Sequence, residues 1–411
     1  MTAPLPTGPA QVAGHLAAHL ATPGPPAPQE AQEAQSLSRG AAGIALLHIE
    51  RAHTGHGTWR QAHTWITAAT ASEVSAADTA GLYSGAPAIA FMLQAAHASS
   101  SRRYTAALAT VDTHVAALAH RRVDAAMTRI QQGALPSFLE YDIFSGLTGI
   151  GAHLLRRDPG GSALERTLRY LAALTRPLPG DGRSLPGWWV GHDPRTRTSA
   201  RYPGGHSNHG AAHGITGPLL LLSQAARRGI TIDGYLDAID TIATWLDTWK
   251  QDSDAGPWWP ETVTLNDLRA GRPTQPGPAR PSWCYGTPGI TRALQLAALA
   301  TGDTARQRAA EQALAACLSD PAQLARLTDT GLCHGGAGVY QTAWRAAQDA
   351  ITPELDAVLP HLADALARHT RPQPGHGPGF LGGIAGTALA LTTAARNAAP
   401  ASGWDACLLI D

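Results

Sequence analysis

The chain has 411 residues, 44% of them apolar and 15% charged, which is enough for a packed core and excludes a globally disordered chain. Lys+Arg and Asp+Glu each count 31, so the basic face of a general nucleic-acid binder is excluded. Four cysteines make no disulfide scaffold, no run reaches the ~18 apolar residues of a membrane helix, and no signal-peptide pattern opens the chain, so a cytoplasmic protein is expected.

Length alone suggests two or three domains at about 150 residues each, but an internal repeat overrides that prior. Residues 11–20 have helical apolar spacing and can serve the first repeat, and residues 21–35 (ATPGPPAPQEAQEAQ) read as a surface linker. A unit then recurs: a short loop with G-x-x-G or a near variant, about a dozen apolar helical residues, and an amphipathic stretch. SRGAAGIALL begins at Ser38 and is followed by an amphipathic helix over 58–74. YSGAPAIAFM at Tyr83 precedes 104–130, and FSGLTGIGAHLL at Phe144 precedes 162–174. An irregular stretch, 177–208, leads to AHGITGPLLLL at Ala212 and the helix 232–250. A second, 252–282, leads to CYGTPGITRAL at Cys284 and 304–327. CHGGAGVYQTA at Cys333 precedes 353–369, and LGGIAGTALAL begins at Leu381. The second glycine is missing only where Ala88 stands.

Helices that follow the glycines carry little charge and should be buried, whereas the two-faced ones should lie outside. Seven of each in alternation predict an all-α fold, an α/α toroid of seven helix-hairpin repeats, as one domain over residues 1–411. The glycines should let the loops turn sharply and the inner helix starts crowd together near an axis. Stretches 177–208 and 252–282 are long enough to be functional loops. Their tryptophan pairs, Trp188-Trp189 and Trp258-Trp259, are expected to plug them rather than line a peptide groove.

Aligned on the first glycine, the two preceding positions hold cysteine or histidine in three consecutive copies only: Ala212-His213, Cys284-Tyr285 and Cys333-His334. A toroid brings equivalent loops to one end of its axis, so Cys284, Cys333 and His334 should meet. Two thiolates and an imidazole suit zinc, and three protein ligands leave the open position of a catalytic site. His213 is a candidate acid or base near neutral pH. Asp142 either orients His213 or caps its helix. Tyr285 either holds a proton or packs by its ring. Arg280 either stabilises developing negative charge or forms a loop salt bridge. Cys317 and Cys407 are read as core, and His206 and His209 as solvated or structural.

These motifs resemble the LanC-like lanthipeptide cyclases. The likeness rests on GPWWP (from Gly256), WCYGTPG (Trp283), NHGAAHGITGP (Asn208), LCHGGAG (Leu332) and YDIFSGLTGIG (Tyr141). It implies a toroid with one central zinc, with Cys284, Cys333 and His334 as ligands and His213, Asp142, Tyr285 and Arg280 as active-site residues. The implied reaction is addition of a precursor-peptide Cys to dehydroalanine or dehydrobutyrine, giving a lanthionine or methyllanthionine ring. The implied partners are the dehydrated precursor, leader and core together, with a dehydratase and an exporter; no nucleic acid and no membrane span are expected. Two rival readings are a LanC-like protein that adds glutathione to dehydrated residues and an α/α-toroid glycoside hydrolase, the latter needing a facing pair of carboxylates.

Overall fold

The structure is a computed structural model that describes residues 8–24, 33–97, 102–178, 184–194, 196–370 and 377–411. Most of the expected linker, 25–32, and parts of the stretch 177–208, namely 179–183 and 195, lie outside the described residues.

A helix follows every glycine loop. These helices are α2 (Ala41–His53), α4 (Ala86–His97), α7 (Leu147–Arg157), α9 (Thr216–Arg227), α12 (Thr287–Thr301), α15 (Gly336–Gln348) and α17 (Ile384–Arg396). Between them run α3 (Trp59–Ala69), α5 (Thr105–Gln131), α8 (Ser162–Leu174), α10 (Tyr235–Trp249), α13 (Thr304–Ser319) and α16 (Glu354–His369), and α1 (Pro9–His19) precedes them all. Short helices α6 (Phe138–Tyr141), α11 (Leu265–Ala270) and α14 (Pro321–Leu324) complete the set among the described residues.

Burial follows the charge pattern. Every residue of α12 from Thr287 to Ala298 is buried, and so is every residue of α17 from Ile384 to Thr393. In contrast α10 buries Ala238, Ile239, Ile242, Ala243, Leu246 and Trp249, one stripe at helical spacing.

The chain divides into two compact units, residues 1–114 with 327–406 and residues 115–326 with 407–411. In the first, α4, α2, α17 and α15 pack in succession, with α3 on α2 and α16 on α15. In the second, α7, α9 and α12 pack in succession, backed by α8, α10 and α13. The N-terminal helix departs in part from expectation: α1 packs chiefly on α17 and α16, and it meets the first repeat where the Leu20 carbonyl accepts from Trp65 Nε1 at 2.9 Å and lies 2.7 Å from His48 Nε2. Helices α3, α8, α10, α13 and α16 each back the post-glycine helix just before them. Within its unit, α17 is instead backed by α1, through Val12, Ala13, Leu16 and Ala17.

The glycines serve a closer contact than a sharp turn. A Cβ on Gly338 would stand 1.9 Å from Leu332 O, and one on Gly289 would stand 2.1 Å from Trp283 O. In these two loops the backbone folds onto the first turn of the helix it feeds, and only a residue without a side chain fits beneath it.

The two irregular stretches are joined by a small antiparallel ribbon, β1 (His206–Asn208) with β2 (Thr262–Thr264), in which Ser207 opposes Val263. The tryptophans plug these stretches. Trp188 and Trp189 are fully buried, and their indole N–H groups donate to Ser207 Oγ (2.8 Å) and Gly204 O (2.9 Å). Trp258 and Trp259 are buried too, and Trp259 donates to Leu246 O at 2.9 Å.

Candidate active site and metal centre

Asp142 is the residue at which α6 ends, and it is buried. Its Oδ1 accepts the backbone N–H groups of Ser145 (2.7 Å) and Gly146 (2.8 Å), pinning the loop that feeds α7. Its Oδ2 lies 2.7 Å from His213 Nδ1. Asp142 thus braces the loop before α7, whose N-cap is Gly146 with no side-chain cap, while its second oxygen faces His213 as an orienting partner would. His213 stands just before α9, its ring centroid 4.9 Å from that of Phe144 and 5.9 Å from that of Phe138. With Nδ1 turned to the carboxylate, Nε2 is the nitrogen left for chemistry.

The neighbouring loop supplies Cys284, which is buried, with its carbonyl accepting from Ala212 N–H at 3.3 Å. Ser282 Oγ lies 3.5 Å from Cys284 Sγ. Tyr285 is half-buried, and its hydroxyl accepts from Asn208 Nδ2 at 2.8 Å. Burial raises the Tyr285 phenol well above its usual range; the Asn208 hydrogen bond opposes that shift and the nearby Cys284 adds to it. The phenol is therefore neutral at physiological pH. Arg280 is half-buried, and its Nε is shielded from solvent with no hydrogen-bond partner among the described residues. Arg280 and Glu261 interact electrostatically, and burial raises the carboxyl of Glu261 above its ordinary range.

Cys333 donates its backbone N–H to Leu381 O at 2.9 Å, which fixes the start of the CHG loop. Asp329 Oδ2 lies 3.3 Å from His334 Nε2, while Asp329 Oδ1 accepts from Gly331 N–H at 2.9 Å. One ligand atom from each of Cys284, Cys333 and His334 lies within 4.8 Å of the others. Ligands about 2.3 Å from a tetrahedral zinc stand about 3.8 Å apart, so the spread of the three atoms fits such an ion. Two thiol sulfurs with one imidazole also match its preference for soft donors.

Cys317, Cys407, His206 and His209 lie in the core. Cys317 is buried, and burial pushes its thiol up to about 12. Cys407 is fully buried. His206 and His209 are also fully buried, which rules out the solvated alternative; burial pushes them down to about 4 and about 3.

Two polar residues that hold the site were missed in the sequence, Asn208 and Asp329. Each stands six positions before its first motif glycine, as Arg280 does in the copy between them. The detectable signal was a polar side chain at that offset in the three copies that carry Cys or His.

The family described as "Lanthionine synthetase C-like protein" matches residues 31–409. The chain is 24% identical over 260 residues to "Nisin biosynthesis protein NisC" from Lactococcus lactis subsp. lactis, a match covering 62% of this chain and 60% of that relative. Among solved structures, "Nisin cyclase" superposes with a TM-score of 0.77 at 21% identity, covering 91% of this chain and 92% of that one. The shared fold is the α/α toroid expected from the repeat. With the match running through nearly the whole chain, this protein belongs to the lanthionine synthetase C-like family.

Proposed function

We propose that this protein is a zinc-dependent lanthipeptide cyclase, which closes thioether rings in a precursor peptide whose Ser and Thr have been dehydrated. The observation that carries this reading is the grouping of Cys284, Cys333 and His334 within 4.8 Å, in a chain that also pairs His213 with Asp142. With His334 Nε2 facing Asp329, Nδ1 would be the nitrogen left to a metal. Cys284, Cys333 and His334 would hold a zinc ion, which when bound would supply Lewis-acid chemistry that favours the thiolate form of a peptide cysteine near neutral pH.

The peptide sulfur forms a bond to the β-carbon of dehydroalanine or dehydrobutyrine. The carbon–carbon π bond breaks, and charge builds on the neighbouring carbonyl oxygen as an enolate. Arg280, whose Nε has no hydrogen-bond partner among the described residues, would donate to that oxygen. His213 carries the proton to the α-carbon from Nε2. Asp142 holds Nδ1 and stabilises the imidazolium while the proton is on board. The net change moves the thiol proton to carbon, with no oxidant, reductant or water consumed.

Metal analysis of Cys284→Ala tests the ligand set directly. Most of the zinc should be lost, and a fully loaded variant would contradict the assignment.

A further inference from the structure

Asn208 closes β1 and is completely buried. Its Oδ1 accepts the backbone N–H of Gly210 at 2.8 Å. A backbone N–H can only donate, so the amide orientation is settled and Nδ2 must be the atom that faces Tyr285. Nδ2 donates to Tyr285 Oη at 2.8 Å. The phenol is the acceptor in that bond, so its own proton points away from Asn208.

The ring is pinned as well as the hydroxyl. A Cβ on Gly210 would stand 2.7 Å from Tyr285 Cε1, so the ring lies against bare backbone. The backbone N–H of Tyr285 donates to Ser282 Oγ at 3.3 Å, and its carbonyl accepts from Ser282 N–H at 3.1 Å. A Cβ on Gly214 would stand 2.3 Å from Asn208 O and 2.6 Å from its Oδ1, so the loop carrying His213 closes tightly over Asn208. One buried amide thus ties together the loops of His213 and Tyr285.

We propose that Asn208 is a positioning residue that sets the polarity of Tyr285, so that the phenol presents its O–H as a hydrogen-bond donor to the carbonyl oxygen of the bound dehydro residue. The substrate named here rests on the cyclase reading. Negative charge grows on that oxygen as sulfur adds, and an oriented neutral donor stabilises it most when no reorganisation is needed. If the partner at this position accepted instead, the phenol would spend its proton there and turn a lone pair toward the growing charge.

Asn208→Asp reverses this polarity with little change of shape. It keeps an oxygen for Gly210 N–H and offers a second oxygen that captures the Tyr285 proton. The kcat for ring closure should fall by about tenfold with KM unchanged, the scale of one buried hydrogen bond. Asn208→Ala removes the donor and should slow closure in the same direction. In a Tyr285→Phe background both substitutions should change kcat by less than about twofold, because the interaction is already absent. Equal losses in the two backgrounds, or no loss in either, would overturn the proposal. A second readout needs no turnover. With 3-fluorotyrosine incorporated, the Tyr285 resonance is the one missing from Tyr285→Phe, and it should be single and sharp in the parent protein. It should shift or split in Asn208→Ala and Asn208→Asp, and an unmoved signal also overturns the proposal. A parent protein that closes no ring in any dehydrated peptide would instead defeat the cyclase reading, and the fluorine signal would still decide whether Asn208 holds Tyr285.

Discussion

Asp142 turns one oxygen to the loop before α7 and the other to His213, and substitutions at the pair should separate bracing from the proposed proton transfer. His213→Asn should retain zinc, because His213 is outside the proposed ligand set, and should slow ring closure by about 10²–10⁴-fold, the usual share of a general acid–base group. Asp142→Asn should slow it less, and the double variant should be no slower than His213→Asn alone. The rate of free-thiol loss from a dehydrated peptide, read beside metal content, checks all three. The buried histidines give a second prediction. His206 and His209 have folded pKa values depressed to about 4 and about 3, chiefly by burial. Between those values and the ordinary 6.5, the unfolded chain binds more protons than the folded one. Stability should therefore be full at pH 7 and fall as pH drops from about 6.5 toward 4. Both ring nitrogens of His206 are buried without a partner among the described residues, so His206→Leu should make the fall in urea midpoint shallower; an unchanged slope would contradict this. At this scale the grouping of Cys284, Cys333 and His334 and the candidacy of His213 were legible because strong ligand types sat beside the repeat glycines. Asn208 and Asp329 were not, because Asn and Asp are ordinary turn residues and their role depends on which side chain folds onto them.

At the scale of elements, hydrophobic spacing anticipated the helices well. The stretch 104–130 became α5 (Thr105–Gln131), and 162–174 became α8 (Ser162–Leu174). The stretch 304–327 was drawn too long: α13 ends at Ser319, and Pro321 starts the separate α14, since proline cannot continue the hydrogen-bond ladder. The ribbon of β1 and β2 escaped because three-residue strands are too short to show an alternation. The partner of α1 escaped because apolar spacing shows that a face is buried without showing what covers it. The glycine contacts set a test here. Gly338→Ala places a Cβ 1.9 Å from Leu332 O, which is backbone and cannot swing aside. The CHG loop must shift, so the variant should melt earlier and bind zinc more weakly than the parent protein. An alanine variant with parental melting and metal affinity would show that the loop has slack.

For the whole molecule, the toroid class was legible because the repeat runs from Gly40 to Gly383, and the family match over 31–409 covers the same span. No described helix is long and apolar enough to cross a membrane, in keeping with the short apolar runs of the sequence. The central claim is that one chain of this family joins a thiol-activating metal to a histidine–aspartate proton relay. Removing and restoring the metal tests it most directly. The protein should be stripped with a chelator, checked for retained helicity, and assayed for free-thiol loss from a dehydrated peptide before and after one equivalent of zinc. Ring closure should cease in the stripped protein and return with zinc at one ion per chain, whereas closure at an undiminished rate in metal-free, folded protein would contradict the account.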